Sequence, residues 1–154
     1  MKRGKSPKKN APDGLLEKAI RIAVEAHAGQ MDKSGRPYIL HPLRVMLRGR
    51  TDEEMIVGIL HDVVEDTPWT LAALRKEGFR TPVLKALDCL TKRENEDYQD
   101  FIRRLASNRL ARRVKIADLE ANMDARRLPD FEPKDGERFT RYVRAWHKLT
   151  GLEI

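Results

Sequence analysis

The chain has a single cysteine, Cys89, which excludes an intrachain disulfide framework. Its longest clean apolar run, Met55–Leu60, is far too short to span a bilayer. No apolar stretch follows the basic N-terminus, which argues against a secretory signal. These absences favour a reducing cytoplasm and no membrane partner. No internal repeat is evident, and no strand-like alternation holds for long. What is present is a 154-residue chain, 40% apolar and 36% charged, which suits one soluble domain with a real core.

The charge is unevenly spread. Residues 1–10, "MKRGKSPKKN", hold five basic side chains and no acidic one; without them the net charge falls from +7 to +2. Residues 1–11 are expected to be a disordered basic tail, with nucleic acid as a weakly supported contact. A second basic set comprises Arg103, Arg104, Arg109, Arg112, Arg113, Lys115, Arg126 and Arg127. It reads as a solvated helix face, or as a lip that attracts a polyphosphate.

Helical punctuation recurs along residues 12–154. Leu15, Leu16, Ala19, Ile20 and Ala23 follow a cap at Asp13. His41-Pro42 opens a short helix, and another runs from Asp52 to Asp66 before Pro68. Thr70–Glu77 is stopped by Gly78, and Thr81-Pro82 leads to Leu90. Asn95 caps a helix through Ser107, Asn108 one through Leu128, and the last runs from Asp135 to Leu149. The expectation is an all-α bundle of about eight helices.

The stretch "GILHDVVEDTPWT", Gly58–Thr70, sets His61, Asp62, Glu65 and Asp66 among core-type residues. Burying ionised carboxylates costs on the order of several kcal/mol unless they are paired or bind a metal. On a helix, His61 and Glu65 share a face, as do Asp62 and Asp66. Imidazole and carboxylate both suit first-row metals. One turn on, Glu65 and Asp66 could activate a water or protonate a leaving group. The plainer alternative is a structural His–Asp hydrogen bond with two solvated carboxylates. Two further segments shift the balance: "PYILHPLRV" offers His41, and "VKIADLEANM" offers Asp118 and Asn122.

Four stretches in order, "AHAGQMDKSGRPYILHPLRV", "GILHDVVEDT", "LDCLTK" and "VKIADLEANM", resemble the hydrolase domain of the RelA/SpoT-homologue family, within the HD-domain phosphohydrolases. The resemblance, over about residues 26–123, is to a stand-alone small alarmone hydrolase, with no room for synthetase or regulatory domains. It implies an HD helical bundle and Mn2+ held by His41, His61, Asp62 and Asp118, with Zn2+ or Fe2+ also compatible. It implies hydrolysis of the 3′-diphosphate of ppGpp or pppGpp to GDP or GTP and pyrophosphate. It assigns water activation and proton transfer to Glu65 and Asp66, and places Lys33 and Asn122 near the nucleotide.

Three positions depart from the family. Asp32 replaces an arginine expected to stack on guanine; an aspartate cannot stack, repels phosphates, and as a loop residue is free to swing away. Ala125 lies near a position often held by a small hydroxyl residue. Leu119 stands where a basic residue is common. Two other readings therefore remain: the same chemistry on another phosphorylated nucleotide such as NADPH, or a non-catalytic module that binds nucleotide or nucleic acid.

Overall fold

The computed structural model describes residues 14–151; the expected tail and the Asp13 cap lie outside the described residues. Among those residues the chain forms nine α-helices: α1 Leu15–Ala26, α2 Leu40–Met46, α3 Asp52–Leu60, α4 Val63–Asp66, α5 Leu71–Lys76, α6 Thr81–Leu90, α7 Tyr98–Ala106, α8 Arg109–Asn122 and α9 Pro133–Thr150. A 3₁₀ turn, Ala125–Arg127, links the last two. There is no named strand among them, so the all-α expectation holds; an isolated bridge joins Met31 to Pro37.

Short polar side chains start the helices, each satisfying an amide that the helix cannot. Thr51 accepts from Glu54 N, Thr70 from Ala73 N and Asn108 from Ala111 N. The expected cap at Asn95 gives way to Asp97, which accepts from the Asp100 amide at 2.8 Å. Asn95 instead takes a left-handed φ of 60° in the preceding loop, a conformation asparagine tolerates. Thr81 lies inside α6 rather than capping it, and Arg80 takes the capping position. The helix expected to reach Leu128 stops at Asn122, because Asp124 turns its carboxylate onto the Arg126 amide and starts the 3₁₀ turn.

Helix α3 is the hub, packing against α1, α2, α6 and α8. Its Ile56, Val57, Ile59 and Leu60 are buried in the main core with Ala19, Ala23, Leu74 and Leu87. Helix α8 divides two cores: Ala111, Val114 and Ala121 face the first, while Leu119 joins Phe101, Leu105, Ala145 and Leu149 in the second. That burial accounts for the apolar residue after Asp118.

The single helix expected over Asp52–Asp66 breaks at His61–Asp62. The carbonyl of Gly58 receives His61 Nδ1 at 2.7 Å, the position an uninterrupted helix would give to the Asp62 amide. Asp62, at φ −101°, ψ −5°, takes the N-cap position, and α4 begins after it. Gly58 is also where α2 crosses α3: a Cβ there would lie 3.1 Å from Met46 Cα and 3.2 Å from Met46 N. Both are backbone atoms, so a side chain would push the helices apart.

Gly58→Val is therefore expected to destabilise the protein by about 2–3 kcal/mol, the upper range for overpacking. Chemical denaturation checks this, and an unchanged midpoint would contradict the close crossing.

Candidate metal centre and cleft

Three segments bring four polar side chains into one buried cluster. His41 comes from α2, His61 and Asp62 from the α3–α4 break, and Asp118 from the middle of α8. His41, His61 and Asp118 are each 4–5% exposed. Donor atoms of His41, His61 and Asp62 all lie within 4.8 Å of one another. Asp118 Oδ1 faces both rings, 3.0 Å from His41 Nε2 and 3.6 Å from His61 Nε2. Asp62 Oδ2 is 2.9 Å from His61 Nε2 and 3.9 Å from His41 Nε2.

The His61 ring is oriented by the backbone. A carbonyl only accepts, so the Gly58 contact puts a proton on Nδ1 and leaves Nε2 as the free coordinating nitrogen. Nε2 is buried with no hydrogen-bond partner, yet it faces two carboxylates. A bare lone pair against negative oxygens is repulsive; a proton or a cation resolves it. Burial opposes charging the ring, but Asp62 and Asp118 outweigh it and raise the His61 pKa well above the ordinary value. This donor set fits a divalent ion: nitrogen and oxygen ligands, two of them anionic.

Outer partners fix the carboxylates. Tyr38 donates its hydroxyl to Asp62 Oδ2 at 2.5 Å. Lys115 donates to Asp118 Oδ2 at 2.7 Å, and Asn122 donates to Asp118 Oδ1 at 2.8 Å. Burial would raise the Asp118 pKa, but Lys115, His41 and His61 hold it well below the carboxylate range. Burial and Asp62 together push the Tyr38 hydroxyl up, so it stays a donor. Such partners orient ligands and exclude other geometries.

The expected solvated basic face does not form as one surface. Lys115 is only 16% exposed. Arg104 pairs with Glu96 and donates to the Cys89 and Thr91 carbonyls, closing the end of α6. Arg127 turns inward onto the Ala121 carbonyl at 2.7 Å. Sequence spacing had a signal for Lys115, three residues before Asp118 on a helix, and none for Arg127.

A cleft of about 370 Å³ opens beside the cluster. Its walls include His41, Asp62 and Asp118, both expected nucleotide neighbours Lys33 and Asn122, and four residues that sequence reasoning did not assign to a site, Tyr38, Ser34, Arg138 and Tyr142. Asn122 is on the wall with its amide committed to Asp118. Glu65 and Asp66 are not on that wall. They sit exposed at the end of α4, one turn past Asp62, and Glu65 accepts from the Lys92 amide at 3.0 Å. Burial, then Asp62 and Glu65, raise the Asp66 pKa, the direction a proton donor needs.

Asp32 does not swing freely. Its Oδ1 accepts from the Ser34 amide at 2.8 Å and the Arg36 amide at 3.0 Å, closing its own loop. An arginine could not make these bonds. A smaller hollow of about 280 Å³ on another face of α8 is flanked by the Arg48–Glu120 and Arg113–Glu54 ion pairs and has no part of the cluster.

Known proteins resemble this arrangement in sequence and in fold. No protein-family model matches the chain. A probable GTP pyrophosphokinase of Mycobacterium leprae is 34% identical over 135 residues, 79% of this chain and 17% of that protein. A guanosine-3′,5′-bis(diphosphate) 3′-pyrophosphohydrolase of Aquifex aeolicus is 33% identical over 115 residues, 67% of this chain and 16% of that protein. The protein of the same name from Haemophilus influenzae is 31% identical, covering 86% of this chain and 22% of its own length. The chain thus spans less than a quarter of each of these relatives. The solved structure of a metazoan SpoT orthologue, a protein that hydrolyses ppGpp, matches at a TM-score of 0.74 and 19% identity, over 92% of this chain and 88% of that one.

The fold is the all-helical HD-domain bundle that this solved structure shares. By sequence, the chain belongs with the RelA/SpoT hydrolase-domain-like proteins. No helix among the described residues is long and apolar enough to cross a membrane.

Removing Lys115 would leave a buried carboxylate without its strongest partner. Lys115→Met is expected to cost about 3 kcal/mol of stability, typical for breaking a buried ion pair. Denaturation at neutral pH measures it, and a loss below about 1 kcal/mol would show that the histidines alone compensate Asp118.

Proposed function

We propose that this domain hydrolyses the 3′-diphosphate of ppGpp or pppGpp, giving GDP or GTP and pyrophosphate, with Mn2+ as its ion. The observation that carries this reading is the unpartnered, buried His61 Nε2 aimed into a His41, Asp62 and Asp118 cluster beside a cleft lined by both cations and carboxylates. Relatives named for that hydrolysis support the substrate. Manganese comes from the family resemblance, since the same donors suit Zn2+ or Fe2+. The lone free cysteine suits a reducing cytoplasm.

A divalent ion bound by His41, His61, Asp62 and Asp118 would acidify a water and offset phosphate charge. The chain supplies the rest. Gly58 and Tyr38 aim His61 and Asp62, and Lys115 and Asn122 aim Asp118. Lys33, on the cleft wall, attracts phosphate oxygens. Asp66, with its raised pKa, gives a proton to the departing oxygen, and Glu65 takes one from the attacking water. A second reading, the same chemistry on another phosphorylated nucleotide such as NADPH, is favoured by one feature, the carboxylate of Asp32 in the cleft.

Incubation with ppGpp and Mn2+, with products resolved, tests the reading: pyrophosphate and GDP are expected, and turnover of NADPH in preference to ppGpp would select the second. His61→Ala should lose both bound metal and activity. Glu65→Gln and Asp66→Asn should keep the metal and lose roughly 10²–10⁴-fold in turnover. Wild-type rates in both carboxylate variants would remove them from the mechanism.

A further inference from the structure

Glu65 sits exposed on α4, a helix of four residues. A glutamate there has the rotamer freedom of a long side chain, and one turn of helix does little to restrict it. Its carboxylate accepts from the backbone amide of Lys92, at 3.0 Å. That N–H belongs to the same peptide group as the Thr91 carbonyl. In a planar trans peptide the C=O and the N–H point in opposite directions. Whatever grips the Thr91 carbonyl therefore aims the Lys92 amide.

Arg104, from α7, grips it. Its Nη2 donates to the Thr91 carbonyl at 3.0 Å, and its Nη1 donates to the Cys89 carbonyl at 3.2 Å. The same guanidinium makes a two-point pair with Glu96, Nε to Oε1 at 2.7 Å and Nη2 to Oε2 at 2.9 Å. It also stands 5.6 Å from the centre of the Phe101 ring. Glu96 Oε2 in turn accepts from the Arg93 amide at 2.9 Å. The backbone on both sides of the Thr91–Lys92 peptide is thus tied to one ion pair. No helical ladder holds this peptide: Thr91 ends α6 in an extended conformation, φ −85°, ψ 116°. Arg104 is not on the wall of the cleft and takes no part in the metal cluster.

We propose that Arg104 is a positioning residue for the hydrolysis: through the Thr91–Lys92 peptide it aims an N–H at Glu65 and holds that carboxylate in one orientation for proton transfer. This rests on the function proposed above, which makes Glu65 the proton acceptor. The guanidinium also draws charge from the peptide through its carbonyl, which makes the N–H a stronger donor.

Two substitutions break the chain of contacts at different links. Arg104→Met removes the grip on the carbonyl. Lys92→Pro removes the N–H and leaves Arg104 in place, and the extended Thr91 suits a following proline. Each is made alone and together with Glu65→Gln; kcat and KM for ppGpp are measured, with Mn2+ affinity by calorimetry. Each single variant is expected to lose about tenfold in kcat, as a hydrogen bond to a charged group supplies. KM and Mn2+ affinity should stay within about twofold, since Arg104 reaches neither substrate nor ion. With Glu65→Gln already present, neither should cost more than about twofold further, whereas a purely structural role would multiply with it. Should Arg104→Met fail to fold, Lys92→Pro carries the same comparison. The amide proton resonance of Lys92 reads the contact without turnover: it should move upfield in Glu65→Gln and in Arg104→Met alike. Undiminished kcat in the single variants, losses that multiply with Glu65→Gln, or a Lys92 resonance indifferent to Arg104 would overturn the proposal. Wild type that leaves ppGpp intact removes the proposed function instead, and the Lys92 resonance then decides alone whether Arg104 aims the amide at Glu65.

Discussion

The contact between His61 Nδ1 and the Gly58 carbonyl does three things at once. It takes the Gly58 carbonyl at the point where α3 ends, and α4 starts after Asp62. It fixes the ring, so that Nε2 faces the cluster. It also sits at the residue whose missing side chain lets α2 approach within van der Waals distance, which brings His41 alongside. A helix that ran on past His61 would hold Asp62 about 100° away around the axis. In the structure Asp62 Oδ2 lies 2.9 Å from the ring nitrogen.

The buried charges are offset in layers. Lys115 and Asn122 reach Asp118 from positions three before and four after it, spacings that a helix makes adjacent. Tyr38 reaches Asp62 from a different segment. The outer layer leaves the lone pair of His61 Nε2 between two carboxylates, and His41 Nδ1 is also buried without a partner. Stability and affinity for a cation are therefore linked: the same anionic oxygens that burden the fold would be the donors to a bound cation. Glu65 and Asp66 lie outside this shell, exposed and one turn away, which suits groups that exchange protons with solvent.

Residue identity and spacing made the cluster legible. His41, His61, Asp62 and Asp118 are chemically expensive in apolar helical patterns, and that expense is visible without coordinates. Helix type and order were legible for the same reason, through apolar periodicity and caps such as Thr70 and Asn108. The break at His61 was not, because an imidazole competing for a carbonyl leaves the hydrophobic pattern unchanged. Arg127 was hidden among solvated cations, since charge composition does not tell which side chain turns inward, whereas Lys115 had only its helical spacing from Asp118 to mark it. Asp32 looked like a free loop residue; only its two amide contacts reveal a fixed one.

Diffraction at the manganese edge from crystals soaked in Mn2+ tests the central claim most directly. One anomalous peak is expected, bonded to His61 Nε2, His41 Nε2 and oxygens of Asp62 and Asp118, with the His61 Nδ1–Gly58 contact retained. An ion bound elsewhere, or bound through His61 Nδ1 with that contact broken, would contradict the account.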